Sequence, residues 1–264
     1  MEILGYISAI LIGLSLGLIG GGGSILTVPI LVYLLGIEAA DTAPAYSLFV
    51  VGIASLIGAS IKYKQGFVDI KTAIVFGLPA IVSVYATRRF LVPEIPDEIF
   101  TIDSFIFTKR LFVMGLFATL MILASVSMIK GRKEIVQSGK QKFNYPLILV
   151  EGILVGVLTG LVGAGGGFII IPALVMLSNL PMKKAIGTSL AIIAAKSLFG
   201  FLGDLSVIAI DWKLLLSFTS LAVAGIFIGN QLSQKIDGSK LKKGFGWFVL
   251  VMGIIILFKE TLIQ

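Results

Sequence analysis

Long apolar runs separated by short polar stretches set the plan of this chain. Runs at 42–61, 70–88, 110–129, 185–203, 212–230 and 244–258 are at or near the length of about 20 apolar residues that a helix needs to cross a bilayer. Two further tracts, 3–36 and 147–178, fit a single straight crossing poorly. As continuous helix the first would reach roughly 51 Å, against a hydrocarbon core of about 30 Å. Each tract is interrupted by glycines, Gly20-Gly21-Gly22-Gly23 in the first and Gly163-Ala164-Gly165-Gly166-Gly167 in the second, with Pro29 and Pro172 downstream. A glycine costs a helix about 1 kcal/mol relative to alanine. The runs therefore predict two pieces, 3–19 and 25–36 in the first tract, meeting at a glycine turn. Within hydrocarbon such a break persists only where the freed backbone groups are buried in protein or line a wet cavity. The connection 89–109, acidic in the middle (Glu94, Asp97, Glu98, Asp103) and carrying Pro93 and Pro96, is expected to form an external flap.

The second half of the pattern repeats the first. Gly17 to Pro29 overlays Gly160 to Pro172 at a constant offset of 143, and after a one-residue slip Ser47-Leu48, Ser55-Leu56 and Gly58 overlay Ser189-Leu190, Ser197-Leu198 and Gly200. An order shared over so long a stretch indicates internal duplication. The expected organisation is a first membrane repeat at 1–130, a basic cytoplasmic linker at 131–146 and a second membrane repeat at 147–264.

Charge then orients the halves. Treating each broken tract as a hairpin that returns to its starting side puts 14 Lys and Arg on one face and 6 on the other, whereas full crossings put 10 on each. The positive-inside rule favours the hairpins, which makes the halves inverted repeats with both termini outside. The fold class expected is thus an all-α integral membrane protein of two homologous halves, each a glycine-broken re-entrant helix pair plus three spanning helices. Composition agrees: 57% of the residues are hydrophobic and 13% charged, with mean hydropathy +1.07. A soluble domain carries about 25% charged residues. The net charge of +7 sits in clusters between apolar runs, which is not the footprint of a nucleic-acid face. The chain contains neither Cys nor His. That argues against a zinc site, a thiolate nucleophile and a His-based triad. No catalytic residue, metal or cofactor is expected.

Candidate binding residues follow from the breaks. Half-helices starting near Ser24 and Gly167 would present N–H groups and a positive dipole end toward an anion, and the glycines would permit close approach. Gly21, Gly22, Gly23, Ser24, Gly165, Gly166 and Gly167 are the backbone part of that site. The competing reading is that glycines at Gly13, Gly17 and Gly20 only let helices pack closely. Lys196, near the middle of 185–203, costs about 2.5–3.5 kcal/mol on insertion scales and so faces a cavity or partner, unless it snorkels roughly 10 Å to the interface. It would bind the anion or titrate. Its counterpart in the first half is Ala54. Thr188 and Ser189, with Tyr46 and Ser47 opposite them in the repeat, are hydroxyl donors expected in the same cavity or in helix-to-helix bonds. Asp41, Asp204 and Asp211 read as solvated acids at span ends.

The paired motifs GLIGGGGSILTVP and GLVGAGGGFIIIP, followed by Ala185-Ile-Gly-Thr-Ser-Leu190, resemble the TauE/SafE sulfite-exporter family over nearly the whole chain. The resemblance implies a bacterial or archaeal inner-membrane secondary transporter, an exporter of sulfite, sulfoacetate or related sulfur-containing organic anions. It also implies a substrate near the glycine breaks and the Thr188-Ser189 pair. The first half departs from the motif, with Pro44-Ala45-Tyr46-Ser47-Leu48 lacking the Thr of a Thr-Ser pair. The partners expected are a small anion, membrane lipid and a coupling proton, with a homodimer left open. An anion channel, or a transporter for an unrelated small anion, is the alternative.

Overall fold

A computed structural model describes residues 2–38, 40–102, 105–130, 145–167, 170–171, 174, 180–233 and 238–262. The apolar runs form the helices α1 (Glu2–Ile19), α2 (Thr27–Tyr33), α3 (Thr42–Lys64), α4 (Ile70–Ala86), α5 (Lys109–Lys130), α6 (Tyr145–Val162), α7 (Met182–Asp204), α8 (Trp212–Leu232) and α9 (Gly238–Leu262). Among the described residues five segments are long and apolar enough to cross a membrane: Thr42–Lys64, Ile70–Glu94, Lys109–Lys130, Met182–Asp204 and Trp212–Leu232. The sixth expected span, 244–258, lies within α9. The linker at 131–144 and Pro172 lie outside the described residues.

Residues 89–109, expected as a flap, are largely regular structure. The α4 helix continues through a π turn, Thr87–Leu91, and a short helical turn, Val92–Glu94. An antiparallel hairpin then forms from β1 (Glu98–Ile102) and β2 (Phe105–Thr108), with Phe100 and Phe107 stacked at 4.7 Å. Aromatic and β-branched residues on the two short strands supply the cross-strand pairs that hold a hairpin, Phe100 opposite Phe107 and Thr101 opposite Ile106.

Three kinds of helix pair build the bundle, and glycines set each one. The central pair, α3 and α7, runs antiparallel. A Cβ placed on Gly52 would lie 2.8 Å from Leu198, one on Gly58 3.3 Å from Leu190, and one on Gly200 3.2 Å from Leu48. The last two contacts are copies of each other under the repeat offset. On the outside, α1 packs parallel to α8, with Gly17 against Ile226, Gly229 and Asn230, and Gly225 against Ile10 and Leu14. The matching pair is α6 on α4, with Gly156 against Ala80 and Ser83, and Gly160 against Thr87 and Val84. Small residues four apart let backbones touch, as expected between helices that gain little from apolar burial in lipid. Gly13 and Gly17 therefore do serve packing, while Gly20–Gly23 serve the break. A third pair, α5 and α9, is antiparallel, with Gly246 on Met128 and Ile129, and Gly253 on Met121 and Ile122.

The same offset governs the helix starts. Asp69 caps α4 by accepting from Thr72 N at 2.8 Å, and Asp211 caps α8 by accepting from Leu214 N at 3.0 Å. The Asp69 N–H donates to Thr188 Oγ1 at 2.9 Å, and the Asp211 N–H donates to the Tyr46 hydroxyl. Thr188 thus ties the start of α4 to α7, and Tyr46 ties the start of α8 to α3. Side chains such as Val82, Leu123 and Phe258 point outward, where lipid and not water is the apolar solvent.

Candidate functional site

Both glycine breaks begin alike. Gly20 and Gly163 have φ of 77° and 74°, a left-handed conformation that costs any residue with a Cβ about 1–2 kcal/mol. A Cβ on Gly20 would press on Ile186 and one on Gly163 on Pro44, residues that are themselves repeat counterparts. After Gly20 the chain makes a tight 3-10 turn, Gly21–Leu26, and doubles back along α1, so that Gly23 lies against Ser15 and Leu16, and Gly5 against Leu35. After Gly163 two more left-handed residues follow, Gly165 at 62° and Gly166 at 68°. Helical bonding resumes with Ile170 N to the Gly166 carbonyl at 3.1 Å.

The two turns meet. A Cβ built on Gly167 would collide with Gly21 Cα and lie 2.6 Å from that residue's carbonyl carbon and oxygen. Gly165 faces Ser24, whose Cβ would be 3.0 Å away, and Val51 of α3; Gly21 faces Ile193 of α7. Val51 and Ile193 are repeat counterparts, so the junction lies at the midpoint of the α3–α7 seam. Gly22 belongs to the same turn, and Gly23 packs back onto α1. Ser24 is fully buried and donates to the Gly21 carbonyl at 2.7 Å, which locks the turn.

Lys196 ends at this junction. Its side chain is buried, Nζ donates to Thr159 Oγ1 at 2.8 Å, and Nζ would stand 2.8 Å from a Cβ on Gly166. The ammonium therefore does not snorkel. Its hydrogen-bond partner is a neutral hydroxyl, itself donating to the Val155 carbonyl at 2.7 Å, and none of the ion pairs among the described residues includes Lys196. An ammonium has three donors. Thr159 escaped sequence reading, although a signal was there. It stands where the first half has Leu16, just as Lys196 stands where the first half has Ala54. Two polar departures from the repeat, hydrogen-bonded to each other, mark the place where the second half adds chemistry to the shared scaffold.

The hydroxyls do not converge on one cavity. Ser189 donates to the Ile186 carbonyl at 2.8 Å, and Thr188 accepts from Asp69. Ser47, buried with no hydrogen-bond partner among the described residues, sits at the opposite end of the seam. Along the α3–α7 pair Ser47 and Ser189 lie roughly 18 Å apart, at 1.5 Å per residue. The structure thus brings together Gly21, Ser24, Gly165, Gly166, Gly167 and Lys196, and leaves Ser47, Thr188 and Ser189 on the approaches. An outward groove of about 370 Å³, lined by Phe49, Ile53, Leu216, Thr219, Ser220 and Val223, lies away from this junction.

Asp204 corrects an expectation. It is buried, not solvated, and takes the Arg88 Nε at 2.7 and 2.8 Å. Arg88 also donates to the carbonyls of Gly160 at 3.3 Å and Asp41 at 3.1 Å, and Lys109 pairs with Asp41 at 2.9 Å.

Apolar helices long enough to span, packed around a buried junction of two broken segments, define a multi-pass membrane protein. The chain belongs to the sulfite exporter TauE/SafE family, whose sequence profile matches residues 6–256. It is 27% identical over 255 residues to a probable membrane transporter protein of Xylella fastidiosa (strain Temecula1), spanning 95% of this chain and 92% of that one. A probable membrane transporter protein of Methanocaldococcus jannaschii is 29% identical over 265 residues, with 94% of each chain covered. YdhB of Bacillus subtilis, of the same description, is 26% identical over 249 residues, 94% of this chain and 97% of the other. No solved structure matches the chain.

Proposed function

We propose that this protein is a secondary transporter of the prokaryotic inner membrane that exports a small sulfur-containing anion, such as sulfite or an organosulfonate. The observation that carries the reading is the buried Lys196 ammonium, held by a neutral hydroxyl where the two glycine breaks touch. Placing a lone cation at that depth is expensive, and an anion arriving there supplies the missing charge. Gly21, Ser24, Gly165, Gly166 and Gly167 let the anion approach backbone without side chains in the way. Two inverted repeats, 1–130 and 147–264, rock about this point in alternating access, with a proton as the coupling ion. The antiparallel α3–α7 pair, its reciprocal leucine–glycine contacts and the doubling back of the chain after Gly20 all support inversion and a re-entrant tract. The backbone contact between Gly21 and Gly167 weighs against the channel reading, which requires a continuous wet path.

Counterflow of labelled sulfite in proteoliposomes tests the proposal. The expected result is saturable flux, driven by a pH gradient and competed by small sulfonates but not by nitrate. Flux that fails to saturate would replace the transporter by a channel. Flux of nitrate or chloride without sulfite would keep transport and discard the sulfur anion.

A further inference from the structure

The repeat offset that relates the two halves also relates their closures at the two ends of the seam, and there the symmetry fails. Arg88 corresponds to Asn230, and Asp204 to Lys62. The correspondence is structural as well, because Gly160 packs on Val84 and Thr87 just as Gly17 packs on Ile226 and Gly229. At one end, the end of Asp41 and the hairpin, Arg88 and Asp204 form an ion pair with side chains 0% and 3% exposed. That guanidinium also holds the carbonyls of Gly160 and Asp41, so it joins α3, α4, α6 and α7 a single turn from Gly163. At the other end, among the described residues, Lys62 donates to the Ser233 hydroxyl at 3.3 Å and Asn230 Oδ1 has no partner. Among the described residues, then, an ion pair closes one end and neutral partners meet at the other.

We propose that the Arg88–Asp204 pair is the lock of a gate at the Asp41 end, and that the end at Lys62 and Asn230 is the one that opens in the resting protein. This rests on the alternating-access reading of the glycine junction. A buried ion pair suits a gate. Its desolvation offsets most of its attraction, so the pair can separate into water without a prohibitive barrier, whereas either charge left alone is strongly driven to hydrate. The π turn at Thr87–Leu91, a geometry frequent at functional sites, puts Arg88 on the seam. The pair stands beside the start of the second break, where Gly163 lies against Pro44 and Arg88 holds the Gly160 carbonyl. Deleting one partner therefore opens the gate, and exchanging the two charges closes it again.

The chain has no cysteine, so a single introduced thiol reports access cleanly. Ser47→Cys lies about 9 Å below Asp41 in α3, at 1.5 Å per residue, and Ser189→Cys is its counterpart toward the other end. Each is treated with a membrane-impermeant maleimide in right-side-out and inside-out vesicles. In the parent, Ser47→Cys is expected to be protected. Asp204→Asn, and equally Arg88→Gln, should raise its labelling rate from the Asp41 side by at least about tenfold, as a shifted two-state equilibrium requires. The exchanged pair, Arg88→Asp with Asp204→Arg, should bring the rate back to near the parent's. The apolar pair, Arg88→Met with Asp204→Leu, should hold the end shut. Unchanged labelling of Ser47→Cys in monodisperse Asp204→Asn and Arg88→Gln protein would overturn the proposal, as would equal acceleration of Ser189→Cys, which marks general loosening. Thiol labelling reads the gate whichever solute is carried, so the gate fails or stands independently of the sulfite assignment.

Discussion

Replacing Lys196 by methionine should reduce anion flux by about 100- to 1,000-fold and should make the folded protein more stable, not less. The first half of that expectation comes from charge. An anion at the junction would lose the cation beside it, and removing one partner of a buried pair costs about 3–5 kcal/mol, or roughly two to three and a half powers of ten in affinity. The second half comes from the empty state, in which Nζ is bonded to Thr159 and, among the described residues, pairs with no carboxylate. Methionine fills a similar volume without the burial cost of about 2.5–3.5 kcal/mol. A residue kept for structure behaves in the opposite way, since its loss destabilises. Lys196→Arg keeps the charge, but its planar fork has to fit beside Gly166, so partial flux is expected. Thermal melting in detergent beside labelled-anion counterflow separates the two roles. A methionine variant that melts lower than wild type, or that transports normally, would remove Lys196 from the binding site.

Much of this architecture was legible because membrane helices advertise themselves. The spans at 42–61, 110–129, 185–203 and 212–230 each fall inside an observed helix, and 70–88 runs through α4 into the π turn that continues it, since a continuous apolar run in lipid leaves the backbone no alternative to helical bonding. The glycine runs were legible too, because a density of glycine weakens helix, whereas Pro29 turned out to sit in the first turn of α2, where a proline is tolerated. Side-chain pairing was not legible. Arg88 and Asp204 are 116 residues apart and each stands at the end of a span, where a charge ordinarily meets water. Only the packing of α4 on α7 turns them into a buried pair. For Thr188 the motif was legible but the bond its oxygen accepts from the Asp69 N–H was not, since it depends on how the second half docks on the first. Tyr46, its counterpart, gives the Asp211 N–H the same kind of hydroxyl acceptor. Comparison of the halves was the underused tool, since Thr159 and Lys196 are both departures from it.

Alanine at Gly167 should cut flux at least tenfold and lower stability by about 1–3 kcal/mol, the usual cost of overpacking. At glycines such as Gly52 and Gly58 an added Cβ meets the end of a leucine or isoleucine side chain, which can swing aside. At Gly167 it meets the Gly21 backbone, with the carbonyl carbon and oxygen both at 2.6 Å. Backbone cannot rotate away, so the two breaks have to separate, and the faces of the junction that would hold an anion move with them. Gly21→Ala should reproduce the effect from the other side, since its Cβ would lie 2.7 Å from the Gly167 carbonyl carbon and 2.7 Å from Ile193 Cδ1. Combining the two should cost less than the sum, because one separation relieves both clashes and neighbouring sites are not additive. Gly115→Ala in α5 is the control. Nothing lies within 4 Å of its Cβ, and alanine there should stabilise the helix by up to about 1 kcal/mol. Melting curves and sulfite counterflow on the four proteins decide the matter. If Gly167→Ala behaves like Gly115→Ala in both, the contact between the breaks is incidental to folding and to transport alike. If it melts lower but transports as well as wild type, the junction is structural and the anion passes elsewhere.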